Sequence, residues 1–250
     1  SEAFRAAAFE YPARPSAKAA AVELAKMLIA VDAPSDALPW LALALDQGGD
    51  HDPTPAKLRL PENQVHLDAI ARPTDPTVLS DAARLLLSAS GDHLAEDALA
   101  RVVAAWLAGE QGGLARDHDA CAGGFQTAAE AAGSTVLNSC AQIAQSQWLQ
   151  YLGCFIEAED ALPEADTISV DAVKQWRDFQ LGCVLSAQGI YEDAYEAFVA
   201  ATQGPSVVYS DVAWLRRGEC LEFQGKWDEA VSAYAHLEAF ASVPQFRAKA

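Results

Sequence analysis

Basic side chains are scarce in this sequence: 17 Lys and Arg stand against 35 Asp and Glu, giving a formal net charge of −18. From Asp117 to Val173 there is no Lys or Arg at all, while nine acidic residues occur. Phosphate binding needs clustered cations, and the few present are scattered, so nucleic acid is not an expected partner. The acidity leaves two readings open, a solvated surface that promotes solubility or a docking face for a basic partner. Long apolar runs are missing too. No stretch of about 18 consecutive apolar residues occurs, so direct membrane insertion is not expected. The chain opens Ser1-Glu2-Ala3-Phe4, with neither an initiator Met nor the apolar core of a signal peptide. The expectation is that an upstream segment was removed or that the sequence is a piece of a longer polypeptide.

Cysteine is sparse and unpaired in pattern. Cys121, Cys140, Cys154, Cys183 and Cys220 are odd in number and include no Cys-x-x-Cys, which argues against a zinc ribbon and a complete disulfide framework. Cys154, Cys183 and Cys220 follow a glycine by one or two residues, where a free thiol acts as a small hydrophobe. Free thiols favour a reducing compartment, so a cytoplasmic location is expected; removal of an upstream signal would make it periplasmic instead.

Chemistry-bearing motifs are absent as well. The five histidines never pair at helical i, i+4 spacing. Asp46-Gln47-Gly48-Gly49-Asp50-His51-Asp52 lacks the spaced ligands and closing Glu of a calcium loop. Arg116 to Cys121 gathers His, Asp and Cys side by side, whereas catalytic Cys and His meet across a fold, so it reads as a polar loop. Glycine-rich phosphate loops and Gly-x-Ser-x-Gly elbows are both missing. No catalytic residue, metal ligand or cofactor is therefore assigned, and the chain reads as no enzyme.

What is present is helical. Hydrophobic residues make up 51% of the chain, enough for a substantial core. Ala, Leu, Glu and Gln dominate, no run alternates long enough to be a confident strand, and Gly and Pro punctuate the helical patterns. Near the C-terminus one pattern occurs twice, 36 residues apart. Gly182, Leu185, Gly189, Tyr191, Ala194 and Phe198 return as Gly218, Leu221, Gly225, Trp227, Ala230 and Tyr234. Gly182 and Gly218 leave room for a close neighbour, and Gly189 and Gly225 stand where a first helix must stop. Ala194 and Ala230 fit a helix crossing, and the aromatics fill the core.

This self-similarity resembles the tetratricopeptide repeat, whose units are helical hairpins of about 34 residues. The resemblance implies an all-α fold over residues 1–250, one α-solenoid of antiparallel helical hairpins with no significant sheet. Its clearest repeats are 175–204 and 211–240. Residues 17–47, with Leu24, Ala25, Leu28, Ala37, Leu41 and Ala44 in the landmark positions, give a probable repeat, and 77–170 hold degenerate ones. Asp50 to Pro61 and Gly109 to Gly124 are expected loops. Cys140 to Ala161 reads as an apolar helical stretch. Leu152-Gly153-Cys154 echoes Leu181-Gly182-Cys183, but the 29-residue gap is too short for a regular repeat.

Proteins of this family stack hairpins into a right-handed superhelix whose concave groove, lined by first helices, holds a peptide or a partner helix. Carried onto this chain, the groove candidates are Phe179, Gln180, Cys183, Ser186, Leu215, Arg216, Glu219 and Glu222. The clamp of Lys, Arg and Asn that holds chaperone tails is absent: Phe179, Cys183, Leu215 and Glu219 stand there, with Arg216 the lone cation. A basic or amphipathic protein segment, recognised as a helix in a groove, suits such a lining. The expected role is a non-catalytic scaffold or adaptor binding a protein or peptide. The run Gln224 to Ala230 resembles bacterial repeat proteins, which implies an accessory subunit of a secretion or envelope assembly. The alternative is a regulatory or sensor domain cut from a larger enzyme or transcription regulator.

Overall fold

The computed structural model describes residues 96–241, together with the helical residues 24, 25 and 27–29. Leu24 and Ala25 are buried and Leu28 is half-buried; Ala37, Leu41 and Ala44 of the 17–47 pattern, the loop at Asp50 to Pro61 and the Asp46–Asp52 segment lie outside the described residues. The chain divides into two compact units, one of residues 1–60 and 76–141, the other of 61–75 and 142–250. Every described element is helical: α1 (Glu96–Leu114), α2 (His118–Ala132), α3 (Val136–Leu152), α4 (Phe155–Asp160), a 3-10 turn (Ala165–Thr167), α5 (Asp171–Gln188), α6 (Tyr191–Ala201), α7 (Val207–Phe223) and α8 (Trp227–Phe240). The all-α expectation holds, with no strand among the described residues.

Short links set the geometry. Two or three residues join α1 to α2, α3 to α4, α5 to α6 and α7 to α8. All four links share one turn. Arg116, Gly153, Gly189 and Gly225 take positive φ values of 57°, 88°, 83° and 74°, at intervals of 37, 36 and 36 residues. The next residue in each case (Asp117, Cys154, Ile190, Lys226) donates its N–H five residues back, to the carbonyl of Gly112, Leu149, Leu185 or Leu221, at 2.9 Å each time. This is the Schellman closure, which satisfies carbonyls that the helix end would leave open. Glycine meets the left-handed backbone without strain; Arg116 holds it at about 1–2 kcal/mol.

The turn then starts the second helix. Cys121, Ala158, Ala194 and Ala230 donate to the carbonyls of Asp117, Cys154, Ile190 and Lys226 at 2.9–3.0 Å, and all four are buried. Acidic residues in the first turns of α2, α6 and α8 oppose the helix dipole, and Asp117 accepts from the Ala120 N–H at 3.0 Å. Where first and second helices cross, a missing side chain makes room for a ring. A Cβ on Gly182 would lie 2.7 Å from the Phe198 ring, on Gly218 2.2 Å from Tyr234, and on Gly109 2.7 Å from Phe125. The glycine-to-ring spacing is the same in each.

Two expectations are corrected here. Gly109 to Gly124 is not a loop but the crossing of α1 and α2, linked only by residues 115–117. Its glycines sit where backbones touch: a Cβ on Gly112 would lie 2.4 Å from the Cys121 nitrogen, and on Gly124 2.2 Å from that of Gly109. Trp106 and Phe125 close the same crossing edge to face at 5.3 Å. The match of Gly153 with Gly182 is seven residues, about two helical turns, out of register. Gly153 is the turn residue, equivalent to Gly189, and the interval becomes regular.

Within the second unit, buried and half-buried amides tie one helix pair to the next. Gln175 on α5 donates to the Ala201 carbonyl at 2.7 Å and to that of Ser206 at 3.0 Å, while its Oε1 accepts the Ser206 N–H at 2.7 Å. Gln188 donates to the Phe155 carbonyl at 3.3 Å, and Gln224, one period on, to that of Tyr191 at 3.1 Å.

Three outcomes check this packing. Gly123→Ala should stabilise by about 0.5–1 kcal/mol, because a Cβ there meets nothing within 4 Å and helix propensity improves. Gly124→Ala, one residue on, should destabilise by about 1–3 kcal/mol by forcing the two backbones apart. Gln175→Leu should lower stability by about 2–4 kcal/mol, since it strands the buried Ser206 N–H and the carbonyls it serves. Urea unfolding of the three variants measures all of these.

Candidate functional site

The first helices of three successive pairs in the second unit contribute to one cavity of about 400 Å³. Gln150 and Tyr151 come from α3, Cys183, Ser186 and Ala187 from α5, and Arg216 from α7; Phe155 and Phe198 complete the wall. The position of each follows from the turns. Gln150 and Ser186 are equivalent residues, each the acceptor of the turn residue's N–H three places on. Their side chains leave the last turn of a first helix on the same face.

Charge in the cavity is nearly balanced at one point. Arg216 donates from Nη1 to Glu219 Oε2 at 2.7 Å, with both side chains about a third exposed (38% and 35%). The Arg216 Nε is buried without a hydrogen-bond partner. Gln150 donates to the Cys183 carbonyl at 3.2 Å and accepts from Gln180 at 2.9 Å, which fixes the polar floor. The thiols are not nucleophiles here. Burial pushes Cys183 up to about 12, and Cys220 up to about 11 against the opposing hydrogen bond from Ser186. Attack requires a thiolate, so protonated, buried thiols pack rather than react.

Of the eight groove candidates, Cys183, Ser186 and Arg216 line this cavity, and Glu219 stands beside it through its pairing with Arg216. Glu222 is exposed and bonds Tyr234, and Leu215 is half-buried; neither reaches the cavity wall. Phe179 and Gln180 are placed elsewhere. Phe179 is 1% exposed, held 5.6 Å from the Phe198 ring and 5.2 Å from Tyr209. Gln180 is fully buried and donates to Ser146 and Gln150. Both serve the core, because a first helix must cover its own second helix and the preceding pair at once.

Gln150, Tyr151 and Phe155 were missed. The signal was available: aligning Gly153 with Gly189 sets Gln150 against Ser186 and Phe155 against Tyr191. Elsewhere, Arg116 to Cys121 is a helix junction, in which Asp117 caps α2 and Cys121 is wholly buried. Among the described residues there is no group of three or more His, Cys, Asp or Glu able to hold a metal ion, and no helix long and apolar enough to cross a membrane.

The differences in thiol burial predict an order of alkylation. Cys154, the one half-exposed cysteine, should react with iodoacetamide at pH 8 well before Cys121, Cys140, Cys183 and Cys220. Peptide mass mapping over a time course reads this, and simultaneous labelling of all five would mean that the native packing is not kept. Compared with known proteins, the chain matches no family model, no curated protein and no solved structure.

Proposed function

We propose that this chain is a non-catalytic scaffold or adaptor, a solenoid of helical hairpins resembling the tetratricopeptide repeat, which holds a basic or amphipathic protein segment in a groove along its first helices. The observation that carries the reading is the cavity shared by α3, α5 and α7. Its wall mixes the aromatic faces of Tyr151 and Phe155 with the hydroxyl of Ser186 and the amide of Gln150. An apolar side chain of a partner helix fits such a hollow, and the surrounding polar groups fix its orientation. The one cation at the wall is already paired with Glu219, and Glu222 stands exposed nearby in sequence. Glu222 therefore adds acidic charge that a basic partner would answer.

The thiols, burdened with pKa values of about 11 and 12, supply no nucleophile, which fits a binding role. Attraction between exposed charges is screened beyond about 8–10 Å at physiological salt, so binding should have a salt-sensitive part and an apolar remainder.

The test is to titrate the partner captured on the immobilised chain against defined variants. Ser186→Trp, which fills the cavity, should weaken binding roughly tenfold or more. Glu219→Lys/Glu222→Lys should weaken it at low salt and much less at high salt. Equal affinities for wild type and both variants at either salt would place the partner on another surface.

A further inference from the structure

The contact that joins one helix pair to the next repeats along the second unit, and α8 carries the last described half of it. On α6, Tyr191 and Tyr195 are covered by α7. The Phe223 ring stacks on Tyr191 at 4.6 Å and 9°. Gln224 donates to the Tyr191 carbonyl at 3.1 Å. Arg217 donates to the Tyr195 hydroxyl at 3.0 Å while lying 3.7 Å over the Trp214 ring. Thirty-six residues on, Trp227 and Val231 occupy the same two positions of α8. They are 63% and 66% exposed.

We infer that the Trp227–Val231 face of α8 is a docking surface for an amphipathic, basic helix of a partner protein, packed as α7 packs on α6. Continuity of the α6–α7 interface gives the occupant its form. It is a helix whose last turn presents an aromatic ring to Trp227 and an amide to the Trp227 carbonyl, with a cation about two turns earlier, as Phe223, Gln224 and Arg217 are arranged. Charge gives its sign. Asp228, Glu229 and Glu238 are exposed along α8, against Lys226 in the turn before it. A second copy of this chain would bring the same carboxylates to the contact, and like charges oppose it. A half-apolar face flanked by acid accepts a helix whose apolar stripe is flanked by Lys or Arg. Tryptophan at the centre of such a contact carries a large share of the binding.

This surface is separate from the cavity of α3, α5 and α7, so the two readings can fail independently. The probe is a fluorescent synthetic peptide of Val207 to Gln224 carrying Glu219→Lys and Glu222→Lys, which makes the helix basic and keeps the Phe223, Gln224 and Arg217 arrangement that fits the preceding pair, titrated into the full chain by anisotropy. Saturable binding is expected, weakened roughly tenfold or more by Trp227→Glu/Val231→Glu. Both positions are exposed, and an unchanged circular dichroism spectrum would show that the fold is kept. Arg216→Ala, at the cavity, should leave peptide affinity as it is. Three results would overturn the proposal. One is no binding, or binding unaffected by the double substitution. Another is a dimer in sedimentation that the double substitution dissolves, which would give the face to a second copy. The third is binding that appears only in Phe246→Glu/Arg247→Glu, which would give it to residues 242–250.

Discussion

The left-handed turn between first and second helices is the constraint on which the rest of the described structure depends. At each of its four occurrences one N–H reaches back five residues at 2.9 Å, and one residue adopts positive φ. Leaving a buried backbone group unpaired costs about 1–3 kcal/mol, so a chain that must reverse in two or three residues has few ways to do it. Once the turn is set, the second helix leaves at a fixed angle. The residue five positions past the turn then falls at the crossing, where Cys121, Ala158, Ala194 and Ala230 are all buried. Only a small side chain fits there. The glycine that admits a ring sixteen residues later follows from the same crossing.

Seen from that turn, what the sequence disclosed and what it hid have physical reasons. The last two copies were legible because Gly189 and Gly225 supply the left-handed residue and Gly182 and Gly218 the space for a ring. In the first copy Arg116 takes the left-handed conformation and Gly112 replaces the leucine, so both turn signals vanish. The glycines left at 109, 112, 113, 123 and 124 look like a loop, yet close packing of α1 on α2 is what requires several of them. Glycine marks either a bend or a contact, and neighbouring residues alone do not distinguish the two. In the second copy Ser146 and Leu162 stand where glycine and an aromatic would be. Phe179 and Gln180 lie in the core for a related reason: periodicity identifies a first helix but not which of its faces is already used by the preceding pair.

Polar chemistry inside the second unit is carried by glutamine. Gln175, Gln180, Gln188 and Gln224 each bridge elements about 30 residues apart in sequence, and Gln188 and Gln224 make the same bond one period apart. An amide both donates and accepts, so it can hold a turn from either side. It is also neutral, which avoids burying charge. Asp178 shows the contrast: its carboxyl is pushed up by burial even with Arg177 bonded to it at 3.0 Å.

A neutral polar interior under an acidic surface separates two kinds of interaction. The bonds that set one helix pair on the next involve amides, carbonyls, rings and the Arg217 guanidinium on the Tyr195 hydroxyl, none of which titrates near neutrality. Salt and pH therefore have little purchase on the packing. The −18 charge acts outward instead, where ionic strength screens it within about a Debye length. A helix docked as proposed would meet both at once: apolar hollows and rings that fix its register, and carboxylates that favour its approach. The register comes from the repeated turn. The basic sign proposed for the partner rests on the twofold excess of acidic over basic side chains.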